Sequence, residues 1–203
     1  MWITTVEREG AGDDLAELYD GATRPGRPVS DRVKVFGLRP DVLAADLGMR
    51  NVVGLPKDGL SLGARRAEMI STAVSGMNGC AYCGVWHSRT LVKDGGVSES
   101  DALSCYQDWR QLDLGDADRT MMLFVEKLTF NPGEMSEDDV VELRNHGFSD
   151  LNIFDIVMLC SYRNYLTRIL NALGVPVEAL EEVHGVDVVG TYVNATSGPA
   201  TTA

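Results

Sequence analysis

Apolar residues along this chain recur at intervals of three and four, and nowhere alternate for long enough to read as a strand. The pattern predicts a run of helices. Asp13 and Asp14 open a short one through Leu15, Leu18 and Tyr19 that Gly21 ends. After the ATRPGRPVS loop a second helical stretch follows Ser30, with Val33, Phe36 and Leu38 facing inward. Pro40 suits the first position of the next helix, where a missing N–H costs nothing. Val42, Leu43, Leu47 and Val53 recur along it, and Gly54 with Pro56 closes it. LPKDGLS reads as a turn, and Ser61 as the N-cap of a long helix carrying Ala67, Ile70, Ala73, Val74 and Met77.

Asn78-Gly79 interrupts that stripe, and a new helix begins at Cys80 and runs through His87 and Leu91 to Gly95-Gly96. Ser98 starts another. Met121, Met122, Phe124, Val125 and Leu128 form a strong stripe that stops before Pro132. Ser136 and Asp139 resemble a capping box, with Asp in place of Glu. Ser149 opens the last long helix, which Gly174 and Pro176 end. The expected fold class is all-α, with residues 1–177 as one domain. From Val177 the periodicity fades, so residues 178–203 read as a largely disordered tail.

Two echoes suggest internal duplication of a helical unit. LSLGARR resembles LDLGDADR, and GGVSES resembles HGFSD, each roughly fifty residues later. The second unit has Asn131-Pro132 near where the first has its cysteines.

Composition adds exclusions. The chain has 203 residues, 44% hydrophobic, with a net charge of −12, which argues against nucleic acid or an anionic membrane as partner. No apolar run is long enough to span a bilayer. The N-terminal MWITTVEREGAGDD has no basic region followed by an apolar run, so the expected location is cytoplasmic. Thiols stay reduced there, and a CxxC is more often catalytic or metal-binding than structural.

The chemistry concentrates in EMISTAVSGMNGCAYCGVWH, Glu68 to His87. On one helix Cys80, Cys83 and His87 fall at i, i+3 and i+7 and share a face. A first-turn cysteine is favoured as a thiolate by the free N–H groups there. His87, one turn from Cys83, makes Cys83 the nucleophile and Cys80 the resolving thiol. A hairpin turning at Asn78-Gly79 brings Glu68 toward the site, where a carboxylate orients an imidazole and raises its basicity. Cys105 and Cys160 read as core cysteines. Trp86 packs in the core or lines the pocket, and Arg163 and Asn164 bond internally or face a subunit interface. His146 sits at a helix end, and His184 in the tail.

Glu68, Cys80, Tyr82, Cys83 and His87 stand at the E-x11-C-x-x-C-x3-H spacing of the AhpD-like alkylhydroperoxidases of the carboxymuconolactone decarboxylase superfamily. The chain resembles that family over roughly Leu15 to Val177, and its peroxidase-related branch through LRPDVL, SGMNGCAYC and GFSDLNIFDIV. The resemblance implies a multihelical bundle, homo-oligomers (trimers or hexamers), and reduction of hydroperoxides through the cysteine pair. It implies a Glu68–His87 relay taking the proton of Cys83, Cys80 as resolving cysteine, a supporting role for Tyr82, and an external dithiol or lipoylated reductant. No cofactor is called for. Three other readings share these residues. One is a zinc site of Cys80, Cys83, His87 and Glu68. Another is a non-redox isomerase, cyclase or decarboxylase using Glu68 and His87 as acid and base. The third is a redox sensor without turnover.

Overall fold

A computed structural model describes residues 1–54 and 60–196. Among them there is no strand, and the fold is all-α. Eleven helical segments follow in order: α1 Asp13–Ala22, α2 Asp31–Lys34, α3 Pro40–Met49, α4 Gly63–Met77, α5 Ala81–Gly95, α6 Glu99–Asp108, α7 Asp116–Phe130, α8 Glu137–Asn145, α9 Asp150–Ala172, α10 Glu181–His184 and α11 Val186–Thr196. No described helix is long and apolar enough to cross a membrane.

Helix α4 is the centre of the bundle. Every residue from Ala67 to Ser75 is buried, polar ones included. Ser71 and Ser75 return their hydroxyls to the carbonyls of Ala67 and Ser71, at 2.8 and 2.6 Å, so the helix itself satisfies these two buried donors. Small residues then let neighbours close in. A Cβ on Gly76 would sit 1.7 Å from the Tyr106 carbonyl oxygen, and one on Gly84 2.3 Å from the Tyr106 ring. Tyr106 of α6 therefore wedges between α4 and α5, and only glycine leaves it room.

The capping residues act as their types predict. Ser98 caps α6, and Ser136–Asp139 and Ser149–Asn152 form capping boxes on α8 and α9. The echo has a local basis in two similar turns. Gly96 and Gly147 both take left-handed backbone, φ +70° and +86°, two residues before the serine that caps the next helix.

Four expectations are corrected. Ser61 is not the N-cap of α4. Its N–H and hydroxyl both donate to Asp155 at 2.7 Å, tying this loop to α9, and α4 starts after Leu62. Leu38 is exposed, because the short α2 turns it outward past Phe36. The helix after Pro40 ends at Met49 and continues as a π-helical turn, Arg50–Gly54. Residues 178–196 are not a loose tail: Leu180, Val189 and Tyr192 are buried with Val85 and Tyr106 in a second apolar cluster on α5. Val177, Val188, Val193 and Ala195 pack against the same cluster. Residues 197–203, and most of the LPKDGLS turn, lie outside the described residues.

Candidate active site

The site is built on the turn between α4 and α5. Gly79, at φ +61°, reverses the chain, and the Cys80 N–H donates to the Ser75 carbonyl at 2.9 Å. Asn78 anchors the turn to α9 through its amide, which donates to Asn164 Oδ1 at 2.8 Å and Thr167 Oγ1 at 3.0 Å. Asn171 donates to the Asn78 carbonyl at 2.8 Å. The hairpin thus presents its residues to α9 in one orientation.

Cys80 is the N-cap of α5, and its sulfur accepts the Cys83 N–H at 3.5 Å. The two cysteines approach to 3.0 Å with both thiols free. Hydrogen bonds from the Cys83 thiol and from the N–H groups of Cys83 and Tyr82 pull the Cys80 thiol below its ordinary range, against the opposing effect of burial. Cys83 is pushed well above it by its bond to Cys80 and by burial, while the charges of Arg163 and Arg32 pull it down. Any resting negative charge of the pair therefore sits on Cys80, and Cys83 keeps the proton.

Glu68 and His87 do meet. His87 Nδ1–H donates to Glu68 Oε2 at 2.8 Å, with both side chains buried. A carboxylate accepts only, so Nδ1 carries the proton and Nε2 is left with its lone pair. Burial, then the charge of Arg163, holds His87 below its ordinary pKa despite Glu68. The imidazole is neutral and oriented, the state of a general base.

A cavity of about 110 Å³ opens against Cys83 and His87. Cys80 is 1% exposed and does not line it. Tyr82 and Trp86 flank the entrance from α5, and burial pushes the Tyr82 phenol up to about 12. Trp86 meets His184 edge to face at 5.7 Å, so the segment after α9 closes over this wall. Arg163 stands opposite on α9, fully buried, with Nε donating to Ser71 Oγ at 2.9 Å. Arg32 reaches in from α2, pairing with Asp46 at 2.6 Å and bonding the Tyr162 hydroxyl at 3.1 Å.

Sequence reasoning placed Glu68, Cys80, Tyr82, Cys83 and His87, and the hairpin gathers all five. It flagged Arg163 as a polar residue in an apolar helix, but not Arg32 or Arg50. Both come from early short segments whose distance from the cysteines only the tertiary fold removes. Cys105 and Cys160 are buried away from the cavity, and burial pushes Cys105 up to about 12. Among the described residues no three or more His, Cys, Asp or Glu side chains group as metal ligands.

The helical architecture that carries these residues recurs in solved structures. A peroxidase-related protein from Ralstonia eutropha JMP134, described as an alkylhydroperoxidase AhpD core, superposes with a TM-score of 0.75 at 24% identity, over 86% of this chain and 90% of that one. The chain has the AhpD-like fold.

An uncharacterized peroxidase-related protein from Silicibacter sp. TM1040 gives a TM-score of 0.71 at 26% identity, over 81% and 85% of the two chains. The debrominase Bmp8, solved with 2,3,4-tribromopyrrole, gives 0.69 at 17% identity, over 93% and 97%. The AhpD-like fold therefore carries more than one activity. By sequence, the uncharacterized protein YdfG of Bacillus subtilis (strain 168) is 24% identical over 149 residues, covering 72% of this chain and 96% of that protein. No family model matches the sequence.

Proposed function

We propose that this protein is a cytoplasmic thiol-dependent peroxidase that reduces organic hydroperoxides through Cys83 and Cys80. The observation that carries the reading is the separation of tasks: Cys83 lines the cavity beside a neutral, carboxylate-oriented His87, and Cys80 lies behind it in contact.

As a hydroperoxide enters, His87 Nε2 accepts the Cys83 proton. The sulfur attacks the terminal peroxide oxygen, the O–O bond breaks, and the proton held by His87 passes to the departing alkoxide. The products are an alcohol and a Cys83 sulfenic acid. Arg163 and Arg32 stabilise the thiolate only as it forms, where stabilisation accelerates the step. Cys80 then attacks the sulfenic sulfur, water leaves, and a Cys80–Cys83 disulfide closes. An external dithiol or lipoylated reductant reopens it by exchange. Tyr82 supports the wall of the site.

Counting free thiols before and after one equivalent of hydroperoxide tests the proposal. Loss of two thiols in wild type, with release of the alcohol, is expected. An unchanged count with peroxide, but loss of two thiols to an added disulfide, makes the protein a disulfide reductase instead. Full turnover of any organic substrate by Cys83→Ser establishes acid–base chemistry by Glu68 and His87. The resemblance also implies trimers or hexamers. Leu151 and Phe154, exposed side by side on α9, are available for that contact, and a monomer mass by light scattering overturns it.

A further inference from the structure

The cavity holds more positive charge than the cysteine chemistry uses. Three guanidinium groups line it: Arg32, Arg50 and Arg163. Two buried acids face them. Asp46 pairs with Arg32, and Glu68 is engaged by His87 and lies near Arg163. With His87 neutral, one cationic charge is left over among the described residues, inside a chain whose net charge is −12.

The surplus falls on Arg50. It has no ion-pair or hydrogen-bond partner among the described residues; burial and then Arg32 oppose its charge, and Tyr162 and Asp46, the latter already paired with Arg32, offset them only in part. A half-buried guanidinium with no direct ion pair gains stability from an anion placed beside it. Cys83 does not supply that anion, because it keeps its proton at rest. Arg50 lines the same cavity as Cys83 and His87. It opens the π-helical turn Arg50–Gly54, a rare geometry that often marks functional sites. Apolar side chains, Val33, Leu166 and Leu170, also line the space.

We infer that the cavity takes an amphipathic organic acid, with its carboxylate on Arg50, its apolar chain against Val33, Leu166 and Leu170, and its reactive end at Cys83. This rests on the proposed function and narrows it: the preferred hydroperoxide carries an acid group away from the O–O bond. Arg50 is a specificity residue, with no part in the bond changes at sulfur.

Calorimetry on the reduced protein measures the subsite without turnover, using hexanoate against 1-hexanol. Wild type is expected to bind hexanoate about ten-fold tighter or more, the range of a charge-assisted hydrogen bond. Arg50→Gln is expected to erase that preference and Arg50→Lys to keep part of it. Equal binding in wild type, or a preference that survives in Arg50→Gln, overturns the inference. A measurement on wild type alone guards against misfolded variants: hexanoate slows alkylation of Cys83 by iodoacetamide and hexanol does not, and equal protection counts against the subsite. Turnover of 6-hydroperoxyhexanoate against its methyl ester separates the two claims. Hexanoate preference with neither peroxide consumed overturns the peroxidase alone. Consumption of both with equal kcat/KM overturns the anion subsite alone.

Discussion

His87 and Glu68 sit on adjacent antiparallel helices and meet through one buried hydrogen bond of 2.8 Å, Nδ1 to Oε2. That bond assigns the imidazole tautomer and aims Nε2 away from α4. Burial, and then the charge of Arg163 beside it, disfavours protonation of the imidazole.

A pH profile reads this arrangement directly. His87 must be neutral to act, and its folded pKa lies below 6.5, so kcat/KM is expected to fall only as acid passes that depressed value. Removing the Glu68 charge in Glu68→Gln takes away an influence that raises His87, so the acid limb moves to lower pH while the rate at neutral pH drops. Loss of the base in His87→Ala is expected to cost about a hundred-fold or more. An acid limb that stays in place in Glu68→Gln contradicts the relay.

The same shift has a stability consequence. The unfolded chain protonates His87 at its ordinary pKa, whereas the folded protein resists until lower pH. The folded state therefore binds fewer protons in that window, and its stability falls as pH drops below 6.5. Denaturant midpoints across this range check the sign, with His87→Gln expected to flatten the dependence.

Gly76→Ala tests the packing that sets the hairpin. Its new methyl meets a backbone carbonyl, that of Tyr106, which cannot turn aside as a side chain does. Overpacking of this kind costs about 1–3 kcal/mol or more. A denaturation midpoint equal to wild type would show that α4 and α6 are not pressed together as described.

Tyr192→Ala tests whether the C-terminal helix belongs to the folded unit. Tyr192 is 6% exposed and packs edge to face on Tyr106 at 5.1 Å. Truncating a buried aromatic is expected to cost about 3–5 kcal/mol. An unchanged midpoint returns residues 186–196 to the status of a loose tail.

Much of the bundle was legible because its signals are local. Ser98, Ser136 and Ser149 cap the helices they precede, and the Asn78-Gly79 break places the hairpin turn. Glu68, Cys80, Cys83 and His87 were legible too, since a helical hairpin leaves few ways to arrange short spacings. What escaped was non-local. Ser61 prefers Asp155, far along the chain, to its own helix, and nothing near it announces that partner. Arg32 and Arg50 look like surface arginines in sequence, and only the approach of α2 and the π-helical turn to α9 brings them to the cavity. The residues after Val177 read as a tail because their docking on α5 and Tyr106 is a tertiary contact that their own spacing does not announce.

The central claim is that Cys83 is the sulfur that meets the substrate and Cys80 the one that resolves. Peptide mass mapping of Cys80→Ser after one equivalent of hydroperoxide tests it most directly. The expected result is a single added oxygen on Cys83, trapped by a sulfenic-acid reagent, and no oxidation at either position in Cys83→Ser. Oxygen on Cys80 in Cys83→Ser, formed as fast as in the wild-type protein, would contradict the account.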